Sequence, residues 1–141
     1  MTDQPRVFLS MIGETEQGRT NEAPLMTLRC FQGRLEAFVA VGAYIGTGES
    51  RATRLRFDRA EPVAQSWSSS TSGTAVFSPD PRGFTDRLAR SERLLIEVTA
   101  FGGERFRLAF DLVGLTDVLP EIAACRRPGQ SAPQQRPQGQ R

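Results

Sequence analysis

The stretch Arg51–Phe77, RATRLRFDRAEPVAQSWSSSTSGTAVF, lies at the middle of the chain and decides how the rest is read. In Arg51–Asp58, Thr53, Leu55 and Phe57 alternate with Arg54, Arg56 and Asp58, the period of two that a half-buried strand requires. Asp58–Pro62 has turn composition. After it Val63, Gln65 and Trp67 alternate with Ala64, Ser66 and Ser68, so a second strand returns beside the first. The polar run Ser68–Gly73 makes another turn and leads into a third strand, Thr74–Phe77. Three strands in succession, joined by short polar turns, describe an antiparallel scaffold.

Working outward, the same period recurs. Arg6–Ile12 reads as a strand with Val7, Leu9 and Met11 on one face, and Gly13–Ala23 reads as a long polar loop. Pro24–Phe31 and Arg34–Val41 are strands joined at Gln32-Gly33, a hairpin turn in which glycine supplies a positive φ. Gly42–Ser50 is a glycine-rich loop with Tyr44 and Ile45 tucked inside it. Beyond the central stretch, Phe84 and Leu88 form an i, i+4 apolar pair, which predicts a short helix over Arg82–Ser91. Arg93–Phe101 and Glu104–Leu112 are strands meeting at Gly102-Gly103, with Ile96, Val98, Phe106 and Leu108 facing inward. Leu115–Cys125 reads as a closing helix disturbed by Pro120. The fold class is therefore mainly β: an antiparallel sandwich or open barrel of about eight strands with two short helices. One domain spans 6–125, between a disordered N-terminus at 1–5 and a disordered tail at 126–141. That tail, RRPGQSAPQQRPQGQR, has almost no apolar side chain with which to offset the entropy of ordering.

Composition narrows the chemistry. The chain of 141 residues has no His, and all 18 of its basic residues are Arg. Ser-His and Cys-His nucleophile pairs, His metal sites, Schiff-base lysines and the phosphate-binding loop lysine are thereby excluded. A site made of carboxylates alone remains open, but the expectation is of no enzyme, cofactor or metal. The charge is also uneven: the tail holds four Arg and no acid, whereas the other residues hold 14 Arg against 16 acids. The high isoelectric point is thus a property of the tail, and a nucleic-acid partner is not expected. No run approaches the roughly 18 apolar residues of a membrane span. Met1–Arg6 lacks the charged-then-apolar pattern of a signal peptide, which leaves a cytoplasmic protein or a mature exported one.

The two cysteines lie near the two ends of the folded region, Cys30 in the second strand and Cys125 at the close of the last helix. Two unrelated buried thiols are one reading. A bridge is the other, closing a loop of about 95 residues for about 4 kcal/mol on the chain-entropy argument.

Several segments resemble the VasI/TagO-like family, accessory proteins associated with type VI secretion gene clusters of Gram-negative bacteria. They are VFLS (7–10), LMTLRC (25–30), RLRFD (54–58), Trp67 with Ser70-Thr71, TAVF (74–77), RLLIEVTAF (93–101), FDLVGL (110–115) and Cys125. The resemblance spans about 6–125 and rests on the order of the motifs. It implies a small, exported, disulfide-bonded periplasmic β-rich protein with no established enzymatic activity, in which Cys30 and Cys125 match the family's cysteine pair. The partner it implies is a protein of a secretion or envelope assembly. Arg59-Ala60 replaces a glycine usual after the Asp-ended strand, and Arg126 replaces an aromatic after the last cysteine.

The candidate interaction surface consists of Arg54, Arg56, Arg105, Arg107 and Trp67. If their strands are neighbours, the arginines form a patch for a carboxylate, a glycan phosphate or an acidic partner. Solvated strand faces, paired with Glu97, Asp58 and Asp111, are the plainer reading. For Trp67, alternation with Val63 favours core packing over an exposed binding ring. A glycan-binding site would draw on Tyr44, Trp67 and the arginine faces. Asp58 with Glu61, and Asp86 with Glu92, are the carboxylate pairs available to a hydrolase.

Overall fold

A computed structural model describes residues 8–48, 50–123 and 125. The N-terminal segment 1–5 and the tail 126–141, both read as disordered, lie outside the described residues. Among the described residues nine strands form one sheet: β1 Phe8–Ile12, β2 Glu14–Gln17, β3 Leu25–Phe31, β4 Arg34–Ala40, β5 Ser50–Phe57, β6 Val63–Ser69, β7 Ala75–Phe77, β8 Arg93–Thr99 and β9 Arg105–Asp111. Their order is β1-β3-β4-β7-β6-β5-β8-β9-β2, and all pairings are antiparallel. The chain is thus mainly β as its alternation predicts, with one strand more than the eight expected.

That additional strand is β2. It was expected to be loop, because Glu14–Gln17 has no apolar alternation. It forms because β9 offers a ladder, with Glu14 opposite Ala109 and Thr15 opposite Leu108. The first and last strands of the sheet are therefore one stretch of chain, interrupted only at Gly13. This residue donates its N–H to the Pro24 carbonyl at 2.8 Å. A Cβ there would lie 2.5 Å from the Ala109 carbonyl oxygen and 2.6 Å from the Phe110 ring, so only glycine fits.

In β5 the alternation is complete: Arg51, Thr53, Leu55 and Phe57 are buried, and the residues between them are exposed. The inward face includes one position more than the sequence reading gave it, Arg51, two residues before Thr53. It is the one charged side chain buried among the described residues, and its guanidinium stacks over the Phe101 ring at 5.9 Å. The β3–β4 hairpin turns at Gln32 and Gly33, with φ of 54° and 76°. Leu28, Val39, Trp67, Leu94, Ile96, Val98, Phe106 and Leu108 fill the inner face.

Strand β7 is only three residues long, and where it ends the helix α1, Pro81–Ala89, takes over. Pro81 starts it, and the Asp80 carboxylate caps it by accepting from the Gly83 N–H at 3.1 Å. Phe84 meets Trp67 edge-on at 5.2 Å, and Leu88 is fully buried. The closing helix expected over Leu115–Cys125 is not continuous. It divides into a 3-10 turn, Leu115–Asp117, and the four-residue α2, Pro120–Ala123, because Pro120 cannot donate into the preceding turn. Cys125 is bonded to Cys30, with Cα atoms 5.6 Å apart across 95 residues of sequence, which clips the chain end onto β3.

Candidate functional site

Strand β8 lies between β5 and β9, and this order brings the outward arginines together. The register sets Arg54 opposite Glu97 and Glu97 opposite Arg107, so a carboxylate sits between two guanidinium groups across three strands. One row further along β5, Arg56 stands beside Leu95, then Ala109, then Glu14 at the far edge on β2. One row the other way, Arg105 stands beside Thr99. Between the rows lies a depression of about 200 Å³, lined by Arg54, Arg56, Arg107, Glu97, Leu95, Leu55 and Pro62. Its floor is apolar and its walls are mostly cationic. Arg105 belongs to the same face but does not line the depression.

The ion pairs inside this cluster are long. Arg54 Nη1 is 3.9 Å from Glu97 Oε1, and Arg107 Nη2 is 3.7 Å from Glu97 Oε2. Glu97 is 14% exposed, against 59% for the Arg54 side chain and 47% for that of Arg107. Arg56 and Arg105 have no carboxylate partner among the described residues. Two acids expected to neutralise the face are engaged elsewhere. Asp58 Oδ1 accepts from the Glu92 and Arg93 N–H groups at 2.9 and 3.0 Å, tying the β5–β6 turn to the start of β8. Asp111 Oδ1 accepts from the Val113 N–H at 3.0 Å. Two arginines thus flank one central glutamate, with one more on each adjoining row, and this arrangement can bind an anion through charge-assisted hydrogen bonds.

Trp67 leaves the candidate surface. It is fully buried, and its Nε1–H donates to Gln65 Oε1 at 2.7 Å. A glycan could not reach it. Tyr44, expected to be tucked inside its loop, is instead 66% exposed, while its neighbour Ile45 is buried and anchors the loop by accepting from the Phe101 N–H at 2.9 Å. Asp58 serves as a backbone bracket, so its pairing with Glu61 loses its chemical sense. No group of three or more His, Cys, Asp or Glu among the described residues is placed to hold a metal ion.

Sequence reasoning missed a second outward feature, on the half of the sheet made by β1, β3, β4 and β7. Phe8, Ile12 and Phe31 are exposed there, and the Phe38 and Phe77 rings stack at 4.9 Å. Arg29 lies over both Phe31 and Phe38, at 5.1 and 5.2 Å, and its Nε donates to Glu36 Oε1 at 2.7 Å. The signal was available in the phase: Phe8, Phe31 and Phe38 fall between the positions that face the core.

Neither protein-family models nor curated proteins match the chain. Among solved structures, the crystal structure of invasion associated protein B from Bartonella henselae is similar over 88% of this chain and 96% of that one, with a TM-score of 0.51 and 14% identity. At that identity the likeness is one of fold. It assigns no role to any residue.

Proposed function

We propose that the protein is a non-catalytic interaction protein of the bacterial cell envelope, an accessory to type VI secretion or a related envelope assembly. It recognises an anionic partner through the face carrying Arg54, Arg56, Arg105 and Arg107. The observation that carries this reading is the depression on β5, β8 and β9, where cationic side chains outnumber the single carboxylate of Glu97. The disulfide supports a periplasmic location, since such bonds persist in oxidising compartments. Carried over from the structural neighbour, the description "invasion associated" also fits work at the cell envelope. Read as an open barrel, the sheet presents its outward arginines on a rigid wall. Capture from envelope extract by the wild type and by an Arg54→Glu/Arg56→Glu variant tests this. The variant is expected to lose the anionic partner, and equal capture by both would reduce the face to solvated surface.

One observation favours a second reading, a glycan- or peptidoglycan-binding domain: the exposed Tyr44 ring stands on a loop joined through Ile45 to the loop that carries the exposed Phe101. Co-sedimentation with peptidoglycan, lost in Tyr44→Ala and retained in the arginine variant, would favour it over the first.

A further inference from the structure

We infer that the ligand of the arginine face is an extended acidic peptide segment whose carboxylates fall on alternate residues. This rests on the reading of that face as a binding surface, and it adds the class of partner. The spacing comes from the strands themselves. Arg54 and Arg56 are two residues apart on β5, and Arg105 and Arg107 two residues apart on β9, so each pair is separated by about 6.7 Å along its strand. An extended peptide places the side chains of residues i and i+2 on one side at the same interval of about 6.7 Å. The two arginine pairs are two strand spacings apart, roughly 10 Å, and staggered by one row, with Leu95, Glu97 and Thr99 of β8 between them. A chain laid along β8 would direct its acids at Arg54 and Arg107 on either side of Glu97 and at Arg56 or Arg105 on the adjoining rows, and would turn its uncharged side chains to solvent.

Carboxylates fit this site better than phosphates. On the face of a paired sheet the backbone N–H groups are used in the ladder, whereas phosphate sites draw on free N–H groups at turns and helix ends. Single-stranded nucleic acid needs rings to stack on, and no aromatic side chain among the described residues lines the depression. Glu97 also lies at the centre, where it repels a doubly charged phosphate more than a singly charged carboxylate. In the free protein Glu97 is the resident carboxylate, held loosely between Arg54 and Arg107 at 3.9 and 3.7 Å. An incoming acid takes over those donors. Glu97 therefore opposes binding, and removing its charge should strengthen it.

The test uses the full chain and fluorescein-labelled synthetic peptides read by anisotropy at low and moderate salt. One peptide alternates Glu with Val and Thr; a second has the same composition with its Glu residues in one block; oligo-dT is the third probe. The alternating peptide is expected to bind about tenfold tighter than the blocked one, as two correctly spaced charge-assisted contacts allow. Arg107→Glu should abolish that binding, and Glu97→Gln, a near-isosteric change that leaves the fold intact, should tighten it several-fold. Equal binding of the two peptides, with both lost in Arg107→Glu, would overturn the spacing while sustaining the face as a binding surface. Preferential binding of oligo-dT would overturn the carboxylate assignment. If neither peptide binds, or Arg107→Glu leaves binding unchanged, both this inference and the reading beneath it fail.

Discussion

The two outward halves of the sheet use arginine in opposite ways. On β3 and β4, Arg29 is fully engaged: a carboxylate at 2.7 Å and two phenylalanine rings at 5.1 and 5.2 Å hold its guanidinium in place. On β5 and β9, Arg54 and Arg107 share one glutamate at 3.9 and 3.7 Å, and Arg56 and Arg105 have no acid partner among the described residues. Both halves rest on the same inward alternation, so the fold does not dictate the difference. What differs is whether the cation's donors are already used. A side chain whose donors are used stabilises its surroundings, and one whose donors remain available can recognise a partner. The number of arginines on a face is a weaker guide than the distance to their acids.

The largest expected effect breaks the comparison at its structural base. The Cys30–Cys125 bridge fixes the chain end to β3, in the aromatic half. Replacing both cysteines with Ser should cost about 4 kcal/mol on the chain-entropy argument, a large share of the 5–15 kcal/mol typical of a domain. Urea denaturation of the variant and wild type measures it, and equal midpoints would show that the bridge adds nothing. The next effect in size is at Gly13, where the two edge strands meet. Gly13→Val forces a side chain onto the Ala109 carbonyl and the Phe110 ring, and about 1–3 kcal/mol should be lost. Hydrogen exchange should show β2 and β9 opening first in that variant; uniform exchange across the sheet would argue against a hinge at Gly13.

The strands were legible because their core residues recur at a period of two, and Thr53, Leu55 and Phe57 illustrate it. Strand β2 was not, because ETEQ acquires its strand from β9 rather than from its own residues. Arg51 broke the apparent pattern by placing a charge at an inward position, where its guanidinium lies over the Phe101 ring. The arginines were visible as outward residues of their strands. Their convergence was not, since it depends on β8 lying between β5 and β9, a non-local fact of topology. Glu97 was named only as one of three possible partners, and the register makes it the central one. The aromatic face was legible in the phase of Phe8 and Phe31, but Phe38 sits in the apolar run Ala37–Val41, where outward and inward residues look alike.

The smallest effects sharpen the comparison most. Arg29→Met should cost about 1 kcal/mol, because it removes two cation–π contacts and a short ion pair at a half-exposed position. Arg107→Met should change stability by less than about 0.5 kcal/mol, since its only ion pair among the described residues is long and solvent-screened. Thermal melts at low salt and at 1 M salt separate the two. The Arg29 variant should remain less stable than wild type in high salt, where stacking on Phe31 and Phe38 survives screening. The Arg107 variant should match wild type at both. If Arg107→Met proves as destabilising as Arg29→Met, then its guanidinium is a structural clamp, and the face it belongs to has no donors to offer a partner.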